Sequence, residues 1–380
     1  MLLYLVLSLV FTAPASRLET RAPSFDSIAL SGIRAGVYPG AALVVGRRDT
    51  ILLARGYGHF TWSPTSPSVS VDSTLYDLAS VTKVIATTTS LMMLVDAGKV
   101  RLNDAVSRYI PEFNGAGTAD ITVRQLLTHT SGLRATLPLY KEAADSVGAL
   151  RLVYQQTPIV PPGQRVIYSD LNAILLGEIV HRASTEPLDV FARERVFHPL
   201  GLDAMVFRPP RQLTARIAPT GLWHGHPIAG VVNDPNAARL GGVSGHAGLF
   251  ATGRDVARFA QFILRQGTDP AGAPLIRAET VRLFTTRATS PAQGKEARAL
   301  GWQAVPTGEN VSSAGTLFGP RTFGHTGWTG TSLWIDPDRD LFVVLLTNRA
   351  FAPRAHRPFT ELKAIRGALA DAAARELGPR

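Results

Sequence analysis

Apolar residues are arranged differently at the two ends of the chain and in its middle. Near the start, Ala41–Val45 and Ile51–Ala54 are short apolar runs separated by Gly46-Arg47-Arg48-Asp49-Thr50, a pattern that predicts a β-hairpin. Ser24 to Gly32 reads as a short helix leading into it, and a polar, Pro- and Ser-rich loop follows from Thr61 to Ser73. Helical spacing then takes over. Ile85, Thr88, Leu91, Met92 and Val95 recur on one face of a predicted helix from Val81 to Ala97, with Gly98 as its stop. Further helices are predicted at Thr122–Thr128, Asp170–Arg182, Leu188–Val196 and Thr252–Gln266, the last with Thr252 and Asp255 in capping-box spacing. Beyond residue 320 the period reverts to that of strands, at Phe323–Trp328, Ser332–Ile335 and Leu341–Thr347. A turn at Asp336-Pro337-Asp338-Arg339-Asp340 joins the last two, and a closing helix runs from about Thr360 to Leu377. Strands at both ends with helices between them predict an α/β (α+β) fold. One sheet would be built from both termini (about 24–75 and 298–380), with a mostly helical lobe (about 80–295) and an active site in the cleft between.

Composition refines this picture at the N-terminus. The run MLLYLVLSLVFTAPAS is uncharged and apolar up to Phe11 and ends in the small-x-small pattern Ala13-Pro14-Ala15. It is shorter than the roughly 20 residues that span a bilayer. Residues 1–15 are therefore read as a secretory signal and residues 16–380 as the exported protein, periplasmic or secreted. The usual basic residues before the apolar run are missing, so a retained anchor and a mis-assigned start remain alternatives. No later stretch is apolar enough for a transmembrane helix. The chain has no cysteine, which excludes disulfides, a thiol nucleophile and a thiolate metal site. The formal charge of +10 comes mostly from dispersed arginines, not interleaved with aromatics as in RNA-binding modules. Nucleic acid is not an expected partner.

Three short elements carry candidate chemistry. Ser80 and Lys83 form Ser-x-x-Lys at the start of the Val81–Ala97 helix, where residues three apart share a face. A serine hydroxyl needs a neighbouring base, and lysine can be that base if burial and nearby cations keep it partly neutral. Alone, the pattern is also that of a capping serine beside a solvated lysine. Two features favour the reactive reading: no other lysine has a serine three places before it, and the helix is apolar and Thr-rich, as expected of a buried one. Tyr168-Ser169-Asp170 follows the turn Pro161-Pro162-Gly163, so Tyr168 could relay a proton, or be a half-buried aromatic with Asp170 as a helix cap. His325-Thr326-Gly327 lies in a predicted edge strand, where His325 and Thr326 would contact a carboxylate or polar acyl group and Gly327 would allow close backbone approach.

In this order the elements resemble the serine β-lactamase and penicillin-binding-protein superfamily on its class C side. The similarity extends through YDLASVTKVIATTTSLMMLVDAGKVRLNDAVSRYIPEF, ITVRQLLTHTSGL, VIYSDLNAILLGEIV, GGVSGHAGLFATGRDVARFAQF and FGHTGWTGTSLWIDPDRDLFVVLLTN, from about residue 25 to 370. The resemblance implies a β-lactamase/transpeptidase-like fold with an antiparallel sheet. It also implies Ser80 as the acylated nucleophile, Lys83 as its activator and Tyr168 as the group that takes up and returns the proton. The backbone N–H groups of Ser80 and Trp328 would form the oxyanion hole, with Asp170, His325, Thr326 and Gly327 contacting substrate. No metal and no organic cofactor are implied.

Two departures stand out. Where class C β-lactamases have Tyr-x-Asn and Lys-Thr-Gly, this chain has Asp170 and His325. An ionised aspartate only accepts hydrogen bonds, and histidine holds a carboxylate by charge only when protonated. Both changes argue against efficient β-lactam hydrolysis. His-Thr-Gly is similar to the motif of secreted DD-peptidases, while GGVSGHAGLF and Tyr-Ser-Asp are similar to a branch containing muropeptide amidases. The expected substrate is thus a small-molecule or cell-wall acyl compound, foremost a cell-wall amide or peptide. An esterase of small acyl esters, a β-lactamase and a penicillin-recognising sensor that does not turn over are the alternatives.

Other signals are weaker. Gly242-Val243-Ser244-Gly245-His246 lacks the final glycine of a nucleophile elbow. His224 and His226 with His246 would be a poor metal set without nearby carboxylates. His129 reads as a buried, hydrogen-bonded structural residue. The oligomeric state is not legible.

Overall fold

The computed structural model describes residues 24–306, 312–351 and 359–378. The candidate signal at 1–15 lies outside the described residues. Seven strands form one sheet: β1 (Gly40–Gly46), β2 (Ile51–Gly58), β3 (Ala297–Arg298), β4 (Gln303–Ala304), β5 (Phe323–Thr326), β6 (Ser332–Asp336) and β7 (Leu341–Thr347). Their spatial order is β2-β1-β7-β6-β5-β4-β3, and every pairing is antiparallel. The two ends of the chain meet at the β1–β7 pair, with Ala41 opposite Thr347 and Gly46 opposite Phe342.

β1 and β7 are buried along their whole length, which is why both read as continuous apolar runs rather than as alternating ones. On one face, Leu43, Val45 and Leu345 pack with the N-terminal helix Phe25–Arg34 and the C-terminal helix Phe359–Leu377. On the other, Ala42, Val44 and Leu346 join the larger core of the helical lobe. Ser24, Thr122 and Thr252 cap their helices by accepting from Ser27, Gln125 and Asp255 backbone N–H groups. The Asp255 carboxylate does not reciprocate. It accepts from Ala204 N–H at 2.9 Å instead, so the capping box at that helix is only half formed.

The predicted helix Val81–Ala97 is built differently. Ala79–Val81 is a 3₁₀ turn, Lys83–Thr88 a π-helix, and only Thr89–Asp96 an α-helix. Threonines explain the deviation. Thr87 Oγ1 donates to Gly245 O at 2.8 Å, Thr82 Oγ1 accepts from Leu249 N at 3.2 Å, and Thr89 Oγ1 donates to Val84 O at 3.0 Å. Thr82 and Thr87 are polar anchors that bind the segment to the loop at Gly245–Leu249. Local π-helix is a recurrent feature of functional helices. The strand predicted to reach Trp328 stops at Thr326, because Gly327 N–H turns back to Thr331 O at 2.8 Å.

Candidate active site

Ser80 sits on a turn held from three sides. Ala79, just before it, has φ 47°, a left-handed conformation unfavourable for a residue with a Cβ. Its N–H donates to Asp77 Oδ1 at 2.8 Å, and Asn233 N–H donates to Asp77 Oδ2 at 2.7 Å. From the sheet, Thr329 Oγ1 donates to Asp77 O and Thr331 Oγ1 to Leu78 O, at 2.7 and 2.8 Å. Burial pushes the Asp77 carboxyl up to about 6 although those two N–H groups pull it down. A side chain at Gly327 would meet Leu78 O at 2.4 Å, so only glycine lets the turn after β5 lie this close to the serine turn; β5 pairs with β6 and β4 and is not the expected edge strand.

Lys83, on the first turn of the π-helix, is buried and places Nζ 2.8 Å from Ser80 Oγ. The same ammonium reaches His246 O at 3.0 Å and Asp170 Oδ1 at 2.8 Å. Burial opposes its charge, but Asp170 and Tyr168 outweigh burial and hold the amine above its ordinary value. The Asp170 carboxyl is pushed up by burial, yet Lys83 and then His246 bring it below the usual range. The resting pair is an ion pair. A partly neutral Lys83, the condition set by sequence reasoning for it to act as base, is not what these neighbours produce. Asp170 is free to face Lys83 because Ser169, not Asp170, caps the helix Asp170–Ser184. The expected substrate contact at Asp170 is thus replaced in the resting site by a contact with Lys83.

Behind this pair lies a second one. His246 is buried, with Nε2 3.0 Å from Asp234 Oδ1 and Nδ1 2.7 Å from Ser244 Oγ. Burial raises Asp234, but the bond to His246 and its charge bring the carboxyl down to about 2. Asp170, Asp234 and His246 present ligand atoms within 4.8 Å of one another, the only such group among the described residues. The ammonium of Lys83 already occupies Asp170, so a metal ion would face a like charge. His224 and His226 belong to no such group.

Tyr168 lies over the other side of Lys83, with Nζ 5.1 Å from its ring centroid. His129 packs 4.8 Å away on its far side, and His129 Nδ1 accepts from Ser169 N–H at 3.1 Å. That bond and full burial make His129 a neutral structural residue that orients the Tyr168–Asp170 segment. His325 is 5.8 Å from Tyr168, centroid to centroid, and buried. Burial first, then Arg298 and Lys83, push its pKa well below the ordinary value, so it holds no carboxylate by charge. Trp328 is 61% exposed at the rim and stacks on Phe359 at 4.9 Å.

Ser80, Tyr168, Arg298, His325, Trp328 and Arg366 line one cleft of about 320 Å³. A larger hollow of about 380 Å³ near Gly177, Asp189 and Arg208 lacks a nucleophile–amine pair, so size alone does not locate the chemistry. The structure thus brings Ser80, Lys83, Tyr168, Asp170, His325, Thr326, Gly327 and Trp328 to one place. Sequence reasoning missed Asp77, Asp234, Arg298 and Arg366. His246 had been weighed only as a nucleophile-elbow flank and a metal ligand. Burial of single charged residues in an Arg-rich chain leaves no local signature. Asp234 alone could have been singled out, as the cap of a helix with Pro235 at its first position.

Comparison with known proteins agrees with this geometry. The family description "Beta-lactamase" matches residues 25–365. A protein of Escherichia coli (strain K12) named putative D-alanyl-D-alanine carboxypeptidase is 34% identical over 359 residues, covering 84% of this chain and 80% of its own. Among solved structures, EstCE1, described as a hydrolase with promiscuous acyltransferase activity, superposes with a TM-score of 0.73 at 23% identity, covering 91% of this chain and 97% of its own. A penicillin-binding protein homologue from Caulobacter crescentus reaches 0.73 at 20% identity, covering 92% and 98%. This chain therefore belongs to the β-lactamase family, the superfamily of serine β-lactamases and penicillin-binding proteins, and is a serine hydrolase.

Proposed function

We propose that this hydrolase is exported and cleaves a cell-wall-derived amide or peptide through an acyl-enzyme on Ser80. The contact of 2.8 Å between Ser80 Oγ and Lys83 Nζ, inside a cleft, carries this reading. Because Lys83 rests as an ammonium, it donates to Ser80 Oγ and stabilises the alkoxide, while the Tyr168 phenol relays the hydroxyl proton, its oxygen accepting that proton as its own O–H proton passes to water. Oγ bonds to the substrate carbonyl carbon, and the oxyanion rests on the backbone N–H groups of Ser80 and Trp328. The C–N bond then breaks as Tyr168 returns the proton to the leaving amine. Water repeats the sequence to release the acid.

The relative named as a carboxypeptidase supports a peptide substrate. A small-ester hydrolase is the second reading, favoured by the structural likeness to a family VIII carboxylesterase (TM-score 0.70 at 22% identity). β-Lactam hydrolysis ranks below both, since Asp170 is held by Lys83 and His325 is uncharged. No helix among the described residues is long and apolar enough to cross a membrane. Export rests on the first fifteen residues.

Turnover of a muropeptide, p-nitrophenyl butyrate and nitrocefin by one preparation ranks these substrates. The expected order is muropeptide, ester, nitrocefin by kcat/KM. A fluorescent penicillin that labels and is never released, with no turnover of any substrate, would point instead to a sensor.

A further inference from the structure

Asp77 ends the short strand Tyr76–Asp77 that leads into the Ser80 turn, and it is 1% exposed. Acyl transfer as described gives its carboxylate no part. Among the described residues no cation pairs with it, and the one charge that bears on it, Asp234, is of like sign. Burying an unpaired carboxylate is costly, so such a group persists where its charge has a use.

Its two oxygens hold two different segments. Oδ1 accepts from Ala79 N–H at 2.8 Å, the contact that keeps Ala79 left-handed and so sets the direction of Ser80. Oδ2 accepts from Asn233 N–H at 2.7 Å, and Asn233 is itself fastened by Nδ2, which donates to Thr220 O at 3.2 Å. The next residue, Asp234, meets His246 Nε2 at 3.0 Å. His246 O then accepts from Lys83 Nζ at 3.0 Å, and Lys83 Nζ returns to Ser80 Oγ at 2.8 Å. The contacts close a circuit. Both halves of the nucleophile–amine pair hang from residues 233 and 234, and Asp77 is the link on the serine side.

The surrounding elements supply no substitute for that link. From the sheet side, the Thr329 and Thr331 hydroxyls are committed to the carbonyls of Asp77 and Leu78. The partner strand Leu249–Ala251 is apolar, and the Lys83 ammonium is engaged by Asp170. Two N–H donors converge on the carboxylate, and only the ionised form accepts from both with no proton of its own in the way. A protonated carboxyl sets an O–H against one of them.

We propose that ionised Asp77 is a positioning residue for acyl transfer, which locks the Ser80 turn to Asn233 and Asp234 and through them to Lys83, and that protonation releases this lock. The role rests on Ser80 and Lys83 being the reacting pair and adds what keeps them in register. Burial raises the Asp77 carboxyl to about 6, so the release falls in mild acid. The charge opposes folding fully above about 6 and not at all below the unfolded value of 3.8, so stability rises as the lock opens.

The test follows the acylation rate of Ser80 by stopped-flow with an activated ester, from about pH 7.5 to about pH 5. The wild-type rate falls about 30-fold through an acid limb near 6, while its melting temperature does not fall with it. Asp77→Asn keeps the shape but turns an NH₂ toward one N–H. Its rate lies about 30-fold below wild type at the upper pH, KM changes by less than about twofold, and the limb is gone. Should Asp77→Asn not fold, Asn233→Ala carries the test: with Asn233 N–H held less firmly, the limb moves to higher pH. A level wild-type rate across the range overturns the proposal. So does an Asp77→Asn rate within about threefold of wild type, a loss carried by KM, or a limb that stays at the same pH in either variant. Absence of any fluorophosphonate adduct on wild-type Ser80 would remove the underlying reading instead.

Discussion

Two polar clusters flank Ser80, and their hydrogen bonds are distributed in opposite ways. Toward the helical lobe, an ammonium, a carboxylate, an imidazole and a carboxylate follow one another at Lys83, Asp170, His246 and Asp234, and Lys83 Nζ has three oxygen neighbours within 3.0 Å. Toward the sheet, Arg298 and His325 are buried more deeply than Asp170 and Asp234 but keep Nε, Nη1 and Nε2 without hydrogen-bond partners. Burial alone does not distinguish a positioning group from a binding group. Satisfaction does. Lys83 and Asp170 meet by charge at 2.8 Å and hold the nucleophile in place, whereas open donors and acceptors that line a cleft are complementary to something that arrives.

The largest effect should come from the satisfied side. Lys83→Met removes the cation touching Ser80 Oγ and should lower the acylation rate about 10³-fold, read by stopped-flow with an activated ester. A loss below tenfold would mean that Lys83 is not needed to stabilise the alkoxide. Next, Asp170→Asn strands the buried ammonium and should cost about 3 kcal/mol in urea denaturation at pH 7. The signs follow from the shifts. Lys83 is raised, so its contribution is complete below its unfolded value and fades as pH rises past about 10. Asp170 is lowered, so its contribution is complete above about 4 and fades in acid. The mutant penalty should therefore be widest between those limits.

Asp234→Asn sharpens the same comparison in acid. With the carboxyl held near 2 against an unfolded value of 3.8, wild type should lose about 2 kcal/mol as pH falls from 4 to 2, and the mutant should not. Stability curves that stay parallel across that window would show that the His246–Asp234 contact is not an ion pair. The smallest effect is expected at Thr331→Val, which deletes the bond of 2.8 Å to Leu78 O and should cost about 1 kcal/mol. Because that bond ties the turn after β5 to the nucleophile turn, kcat should fall more than the melting temperature suggests.

Much of this was legible from residue order. The hairpin, the helix cap at Thr252, the strands near the C-terminus and the approach of Lys83 to Ser80 follow from spacing and turn chemistry. Strands β3 and β4 escaped because two residues each cannot show a period. The π-helix escaped because Ile85 and Leu91 are apolar in either helical form, and only partners distant in sequence, at Gly245 and Leu249, set the geometry. Asp170 was assigned to substrate because the resemblance puts it at the Tyr-x-Asn position, and nothing in the sequence shows that Ser169 caps the helix and leaves Asp170 to Lys83. Arg298 is one of many arginines, and nothing local marks it as one that lines the Ser80 cleft.

Mass spectrometry of the protein quenched during turnover of a slow peptide or ester tests the central claim most directly. An added acyl mass confined to the peptide containing Ser80, absent in Ser80→Ala and slow to appear in Lys83→Met, is the predicted result. An acyl group mapped to another residue, or full turnover by Ser80→Ala, would contradict the account.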